Sequence, residues 1–102
     1  MNAKTLKALK ASIAHWKRLA DGKQRIGEGI GDEYCALCAL YHAGDCKGCP
    51  IMTLTKQNFC DDTPYDYVLK MRNEFGIGSN EFKEAARIEY NFLRALLPER
   101  QR

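Results

Sequence analysis

The chain has 102 residues, which is enough for one domain and leaves no length for a second core. Its composition, 45% hydrophobic and 28% charged, is typical of a globular protein and excludes a disordered tail. The longest apolar run, residues 36–41, is too short to cross a bilayer, and the lysines at positions 4, 7 and 10 argue against a secretory signal. We therefore expect a cytoplasmic protein without a membrane partner, whose cysteines stay reduced.

Charge is distributed unevenly along the chain. Residues 1–25 carry seven Lys or Arg and a single acid, Asp21, whereas residues 26–102 carry nine Lys or Arg and twelve acids. A basic segment on a mildly acidic body indicates an acidic partner, either nucleic acid or an acidic protein surface. The alternative is a solvated helix face that keeps a small protein soluble.

Residues 3–20 are predicted to form a basic amphipathic helix. Apolar residues recur at spacings of three and four and form one stripe, consisting of Leu6, Leu9, Ile13, Trp16 and Ala20. Beside this stripe lies a basic flank, consisting of Lys7, Lys10, Lys17 and Arg18. Gly22 stands where a glycine is expected to end the helix. His15 is expected to be an exposed helical residue.

Residues 22–32 are rich in glycine and are predicted to form a flexible connector. No hydrophobic strand precedes the GEGIG run, and its spacing fits neither of the common phosphate-binding loops. We expect such a connector to let the first helix move relative to the rest of the domain.

A short helix is predicted to begin at Asp32, which can cap it, and to end near Gly44. Residues 45–62 are predicted to be irregular, with at most one short hairpin between Ile51 and Thr55. The whole of 32–62 is interpreted as a metal-binding segment because it holds all five cysteines.

Residues 63–97 are predicted to form a helical hairpin. Its first helix starts with Thr63 as cap and Pro64 in the first turn, and it ends at Gly76. Val68, Met71 and Phe75 are expected to share its buried face.

The second helix of the hairpin runs from residue 79 or 80 to Leu97, before Pro98. Its predicted apolar face consists of Phe82, Ala85, Ala86, Phe92, Leu93 and Leu96. Glu89 projects from the middle of that face, so it should either pair with a basic side chain or meet solvent. A helix-turn-helix that reads DNA is disfavoured because its second helix would begin with Glu81 and Glu84, which phosphates repel.

The spacing of the cysteines predicts a zinc site. Two C-x2-C pairs and one further cysteine lie within 26 residues, and a reducing compartment makes paired thiolates typical zinc ligands. Zinc takes four ligands, so we expect four of the five, with Cys46 and Cys60 equally good as the fourth; the full set is Cys35, Cys38, Cys46, Cys49 and Cys60. His42 is a further candidate ligand. An iron–sulfur cluster is the alternative cofactor.

Four thiolates leave no open position on zinc, so the site is expected to be structural and to contribute folding energy. The fold class predicted from these elements is a mainly α single domain spanning residues 1–102. Three longer helices surround a Cys-rich segment that resembles a zinc knuckle or a treble clef.

The pattern CALC…CKGCP…C..TPYD, preceded by HWKRLADGK and followed by FLRALLPE, resembles a family of small Cys-rich zinc-binding proteins of bacteriophages and prophages. The resemblance extends from His15 to Glu99 and is specific in the cysteine region. It implies metal binding through the five cysteines as a set and a place in the cytoplasm of a bacterial host. It implies no enzymatic activity.

Two binding functions and one catalytic function are compatible with these features. The favoured hypothesis is a metal-stabilised module that binds a host or phage protein through Lys7, Lys10, Trp16, Lys17 and Arg18, with Trp16 as the anchor. The alternative is a DNA- or RNA-binding zinc protein that uses the same basic helix. A metal-dependent enzyme such as a nuclease is disfavoured, because neither His15 nor His42 has an acid beside it in a recognised catalytic arrangement.

Overall fold

The computed structural model of the chain describes residues 3–26, 28–29 and 64–98. This part of the chain contains three helices and no strand: α1 (Ala3–Ala20), α2 (Pro64–Phe75) and α3 (Asn80–Ala95). The prediction of a mainly helical fold with three longer helices is therefore confirmed. The cysteine-rich segment 32–62, its predicted short helix and hairpin, and the predicted Thr63 cap lie outside the described residues.

The end of α1 follows from a glycine that adopts a left-handed backbone conformation. Gly22 has φ of 71°. Its N–H donates to the carbonyl of Leu19 (3.3 Å), and the N–H of Lys23 donates to the carbonyl of Arg18 (2.7 Å). These two bonds form a Schellman motif, which satisfies carbonyls that the helix itself leaves unpaired. The predicted end of the helix at Gly22 is confirmed.

A short turn joins α2 to α3 and depends on two glycines. Gly76 and Gly78 have φ of 88° and 91°, which side chains with a Cβ atom rarely adopt. Ser79 then caps α3, since its hydroxyl oxygen accepts a hydrogen bond from the N–H of Phe82 at 3.1 Å. The hairpin predicted from the sequence is confirmed within 64–98. Its last helix ends at Ala95 rather than at Leu97, because the chain tightens into turns of the 3₁₀ type.

The core lies between α3 and the two helices that pack on it. Its most deeply buried side chains come from all three helices: Leu9, Leu19, Val68, Phe82 and Leu93. No helix among the described residues is long and apolar enough to span a membrane.

The buried face of α1 is rotated from the predicted stripe. Leu9, Trp16 and Ala20 are buried as expected, but Leu6 and Ile13 lie at the margin and are only partly buried. The rest of the buried face consists of Leu19, which the predicted stripe left out, and of small or polar side chains: Thr5, Ala8, Ser12 and His15. An apolar pattern does not identify buried polar residues such as Thr5, Ser12 and His15, which explains part of the difference.

Two expectations about α2 and α3 are corrected. Phe75 does not share the buried face with Val68 and Met71; it is 51% exposed at the end of α2. Glu89 is only 3% exposed, so the alternative in which it meets solvent is wrong.

We predict that Phe82→Ala lowers the free energy of unfolding by about 3–5 kcal/mol, because it removes a fully buried ring from the centre of the core. Ile88→Ala, on the same helix but 43% exposed, is the matched control and should change it by less than about 1 kcal/mol. Urea denaturation followed by circular dichroism measures both. Equal losses for the two variants would contradict the packing described above.

Candidate functional site

Trp16 belongs to the core of the domain. Its side chain is 4% exposed and meets the ring of Tyr65 on α2 edge to face, with centroids 6.1 Å apart. The neighbouring ring of His15 lies 5.2 Å away in a similar arrangement. Trp16 therefore joins α1 to the start of α2, and in this structure it is not presented to a partner as an anchor would be.

The exposed face of α1 consists only of lysine and alanine. Its members are Ala3, Lys4, Lys7, Lys10, Ala11, Ala14 and Lys17. We call the four lysines of this set the lysine face. Only alanines lie between these lysines on the exposed face, and the helix contains no acidic residue. The exposed face therefore has short side chains around the lysines and only positive charge.

Of the predicted basic flank, the three lysines lie on this exposed face, whereas Arg18 forms an ion pair beside it. Lys7, Lys10 and Lys17 are exposed, and Lys17 also pairs with Asp21 at 3.1 Å. Arg18 does not belong to the exposed face, because its guanidinium binds the carboxylate of Glu28. Lys4, which the sequence analysis left out of the flank, is part of the exposed set.

The carboxylate of Glu28 is the centre of a polar cluster that sequence reasoning missed. Arg18 donates to it through Nε (3.1 Å) and Nη2 (2.6 Å), and the backbone N–H of Arg25 donates at 2.9 Å. Nδ1 of His15 lies 2.5 Å from Oε2 of Glu28. The side chains of His15 and Glu28 are only 5% and 8% exposed, so this cluster is largely withdrawn from water.

The hydrogen bonds to Glu28 stabilise its ionised form. They lower its pKa from 4.5 to about 2, with Arg18 as the largest cause and Arg25 and His15 adding to it against the opposing effect of burial. The same pair raises the pKa of Arg18. Since the carboxylate is ionised at neutral pH, Nδ1 of His15 must be the donor. His15 thus holds a defined orientation inside the domain.

Two expectations from the sequence are corrected by this cluster. His15 is buried and paired with an acid, not exposed, because Glu28 folds back over α1 from 13 residues away. The described part of the connector is not a free tether, since its Glu28 binds α1, and Asp21, which directly precedes it, binds α3. These contacts do not support independent movement of α1.

A second set of contacts links the end of α1 to α3. Asp21 accepts hydrogen bonds from Lys17 and from Arg87, and these two cations lower the pKa of its carboxyl group. The guanidinium of Arg87 also lies over the ring of Tyr90, with its carbon 5.4 Å from the ring centroid, and that of Arg94 lies 5.5 Å from the same centroid. Charged groups therefore continue without a break from α1 onto α3.

The predicted metal ligands are not located by the structure. Cys35, Cys38, Cys46, Cys49, Cys60 and His42 all lie outside the described residues. Within 3–26, 28–29 and 64–98, no group of three or more His, Cys, Asp or Glu side chains could hold a metal ion.

No family model, curated protein or solved structure matches this chain. The resemblance to small Cys-rich phage proteins therefore stays a prediction.

We predict that Glu28→Gln lowers the free energy of unfolding by about 1–3 kcal/mol at pH 7, because it leaves the side chains of His15 and Arg18 without their charged acceptor. Glu74→Gln, at an exposed position of α2, is the control and should change it by less than about 0.5 kcal/mol. Urea titrations at several pH values measure both.

The pH dependence of the free energy of unfolding, compared between wild type and Glu28→Gln, tests whether the charge of Glu28 is the cause of the stabilisation. The pKa of Glu28 is lower in the folded chain than its ordinary 4.5, so its stabilisation is complete above pH 4.5 and is lost as the pH falls towards 2. The difference between wild type and Glu28→Gln should shrink over that range. A difference that stays constant from pH 6 to 2.5 would show that the carboxylate's charge is not what stabilises the fold.

Proposed function

We propose that this protein is a small nucleic-acid-binding module that contacts phosphates through the lysine face of α1. The observation that carries the proposal is the composition of the exposed face, which holds only lysine and alanine while Trp16 is buried. The surface offers positive charge and little else. A polyanion is the partner whose chemistry matches such a surface.

The position of Trp16 favours a nucleic acid over a protein as the proposed partner. Protein interfaces derive most of their affinity from a few buried aromatic or arginine anchors. On α1 the aromatic residue lies in the core and Arg18 is bound to Glu28, so the exposed face of this helix offers neither kind of anchor to a protein partner. Lysines act as point charges and need only phosphates within reach.

The geometry of a helix places the lysines at useful distances from one another. With a rise of about 1.5 Å per residue, Lys4 and Lys17 are roughly 20 Å apart along the axis. A partner that bridges them must carry charge along a comparable length, as a nucleic-acid backbone does. The alanines between the lysines allow close approach.

Repulsion by the acidic part of the chain is weaker near α1 than the sequence suggests. Among the described residues, Asp21 and Glu28 contact the end of α1 through ion pairs, and both carboxylates are paired with cations. The exposed acids Glu81 and Glu84 are on α3, at the helix end next to the turn. The paired carboxylates of Asp21 and Glu28 therefore repel a bound phosphate backbone less than free carboxylates would.

The cysteine segment is proposed to hold one structural zinc ion through four of Cys35, Cys38, Cys46, Cys49 and Cys60. Support comes from the two C-x2-C pairs and from the small size of the chain, which makes added folding energy from a metal valuable. The resemblance to phage proteins supports the same set and a bacterial cytoplasm as the setting. An iron–sulfur cluster is the alternative occupant.

We predict that the protein binds a mixed-sequence 20-base-pair DNA duplex or 20-nucleotide single strand with a steep salt dependence. Four lysine–phosphate contacts give a slope of log K against log salt of roughly −3 to −4. The double variant Lys4→Glu/Lys7→Glu should abolish most of this binding. Fluorescence anisotropy at four salt concentrations measures the affinity and the slope.

The control for this experiment is Lys70→Glu/Arg72→Glu, which changes the net charge equally but on α2. It should retain most of the binding if the lysine face is the contact. Equal losses for the two double variants would contradict a defined surface. If the wild type does not bind, nucleic acid is rejected as the partner, and an acidic protein surface becomes the favoured partner of the lysine face.

For the metal, we predict one zinc per chain in elemental analysis of protein purified without added metal. Cys35→Ser and Cys49→Ser should lose the metal and unfold or aggregate the domain, because each removes a ligand that every proposed set contains. Comparison of Cys46→Ser with Cys60→Ser identifies the spare thiol. Iron with visible absorption would instead indicate a cluster, and a metal-free folded protein would contradict both.

A further inference from the structure

A continuous series of contacts leads from the lysine face onto α3. It begins at Lys17, passes through the carboxylate of Asp21 to Arg87, and reaches Arg94 across the ring of Tyr90. The series contains three cations and one anion, so it is basic overall. It brings the only helix with a uniformly basic face in the described residues into contact with a cationic part of α3.

The two arginines of this series are in different situations. Arg87 is bound to Asp21 and is partly covered. Arg94 is exposed, and its guanidinium lies over the ring of Tyr90. Its guanidinium is therefore held in place by an aromatic surface, while its N–H groups have no carboxylate partner in this part of the chain.

We infer that Arg94 is a phosphate-binding residue, and that a bound nucleic-acid backbone crosses from the lysine face of α1 to α3 through it. The inference rests on the proposed function and extends it to α3, where the sequence predicts no binding residue. It names a backbone phosphate as the group that Arg94 contacts.

The chemistry of arginine gives the physical reason. A guanidinium presents N–H groups in a planar fork that matches two oxygens of one phosphate, which a lysine cannot do. Contact with the Tyr90 ring restricts the side chain before binding, so less conformational entropy is lost when the phosphate arrives. Tyr90 is accordingly a positioning residue and Arg94 the binding residue.

Asp21 connects the end of α1 to α3. Its carboxylate joins Lys17 to Arg87 and so fixes the end of α1 against α3. Because the Schellman motif ends α1 at the same place, the lysine face and Arg94 keep a constant relative position. A partner can then contact both without first ordering the surface.

The experiment compares Arg94→Ala, Arg94→Lys and the control Arg72→Ala, an arginine on α2, with the DNA probes used above. Arg94→Ala should weaken binding by about 3- to 10-fold and reduce the magnitude of the salt slope by about 0.7–0.9, the value for one lost phosphate contact. Arg94→Lys should keep the wild-type slope but lose affinity, because charge is retained and the fork is lost. Arg72→Ala should match wild type.

Each alternative outcome has a defined meaning. If Arg94→Ala binds like wild type while Lys4→Glu/Lys7→Glu does not bind, the crossing to α3 is wrong and the proposed function stands. If Arg94→Lys binds like wild type, contact of the planar guanidinium with two oxygens of one phosphate is not required, and that part of the inference is wrong. If the wild type itself does not bind either probe, the proposed function and this inference both fail. Thermal melting by circular dichroism verifies that the compared variants are folded.

Discussion

The packing of α1 against α3 is the constraint on which the rest of this structure depends. An isolated helix of 18 residues is only marginally stable in water, so α1 requires burial of Leu9 and Leu19 in the core that it shares with α3. Once these residues face inward, the rotation of the helix about its axis is fixed. The lysines must then point outward, because no other side of the helix remains.

The ion pairs at the end of α1 add orientation to this packing. A buried carboxylate such as Glu28 is costly to remove from water, and the structure offsets that cost with a guanidinium, a backbone N–H and an imidazole. Such a cluster contributes less net stability than the number of its bonds suggests. It does orient the chain, since the carboxylate of Glu28 binds a donor from each of His15, Arg18 and Arg25 at once.

Much of the helical framework could be predicted because its determinants are local. Gly22, Gly76 and the Ser79 cap act within one turn of their own positions, so the bounds of α1 and α2 agree with the sequence and α3 differs by two residues at its end. The packing of α1 was less predictable, because the polar residues Thr5 and Ser12 are buried and an apolar periodic pattern does not identify them.

The polar cluster could not be predicted for a related reason. His15 and Glu28 are 13 residues apart on different local structures, and the glycines near Glu28 favoured a flexible loop. One signal was present in the sequence: Glu28 is the first acid after Asp21 in a strongly basic region, so a pairing was favoured on charge alone. The cysteine pattern is a different case, since it specifies ligand types strongly and their positions in space not at all.

Three consecutive residues of α1 show how a single helix can separate stability from recognition. Trp16 packs in the core, Lys17 faces solvent beside Asp21, and Arg18 binds Glu28. Successive residues on an α-helix differ by about 100° in direction, so neighbours in sequence necessarily reach different surroundings. A cluster of basic and aromatic letters in a sequence is therefore not yet a binding surface. On α1 the core takes the aromatic residue and the connector takes the arginine, which leaves charge alone on the exposed face and makes electrostatics the property that a partner can recognise there.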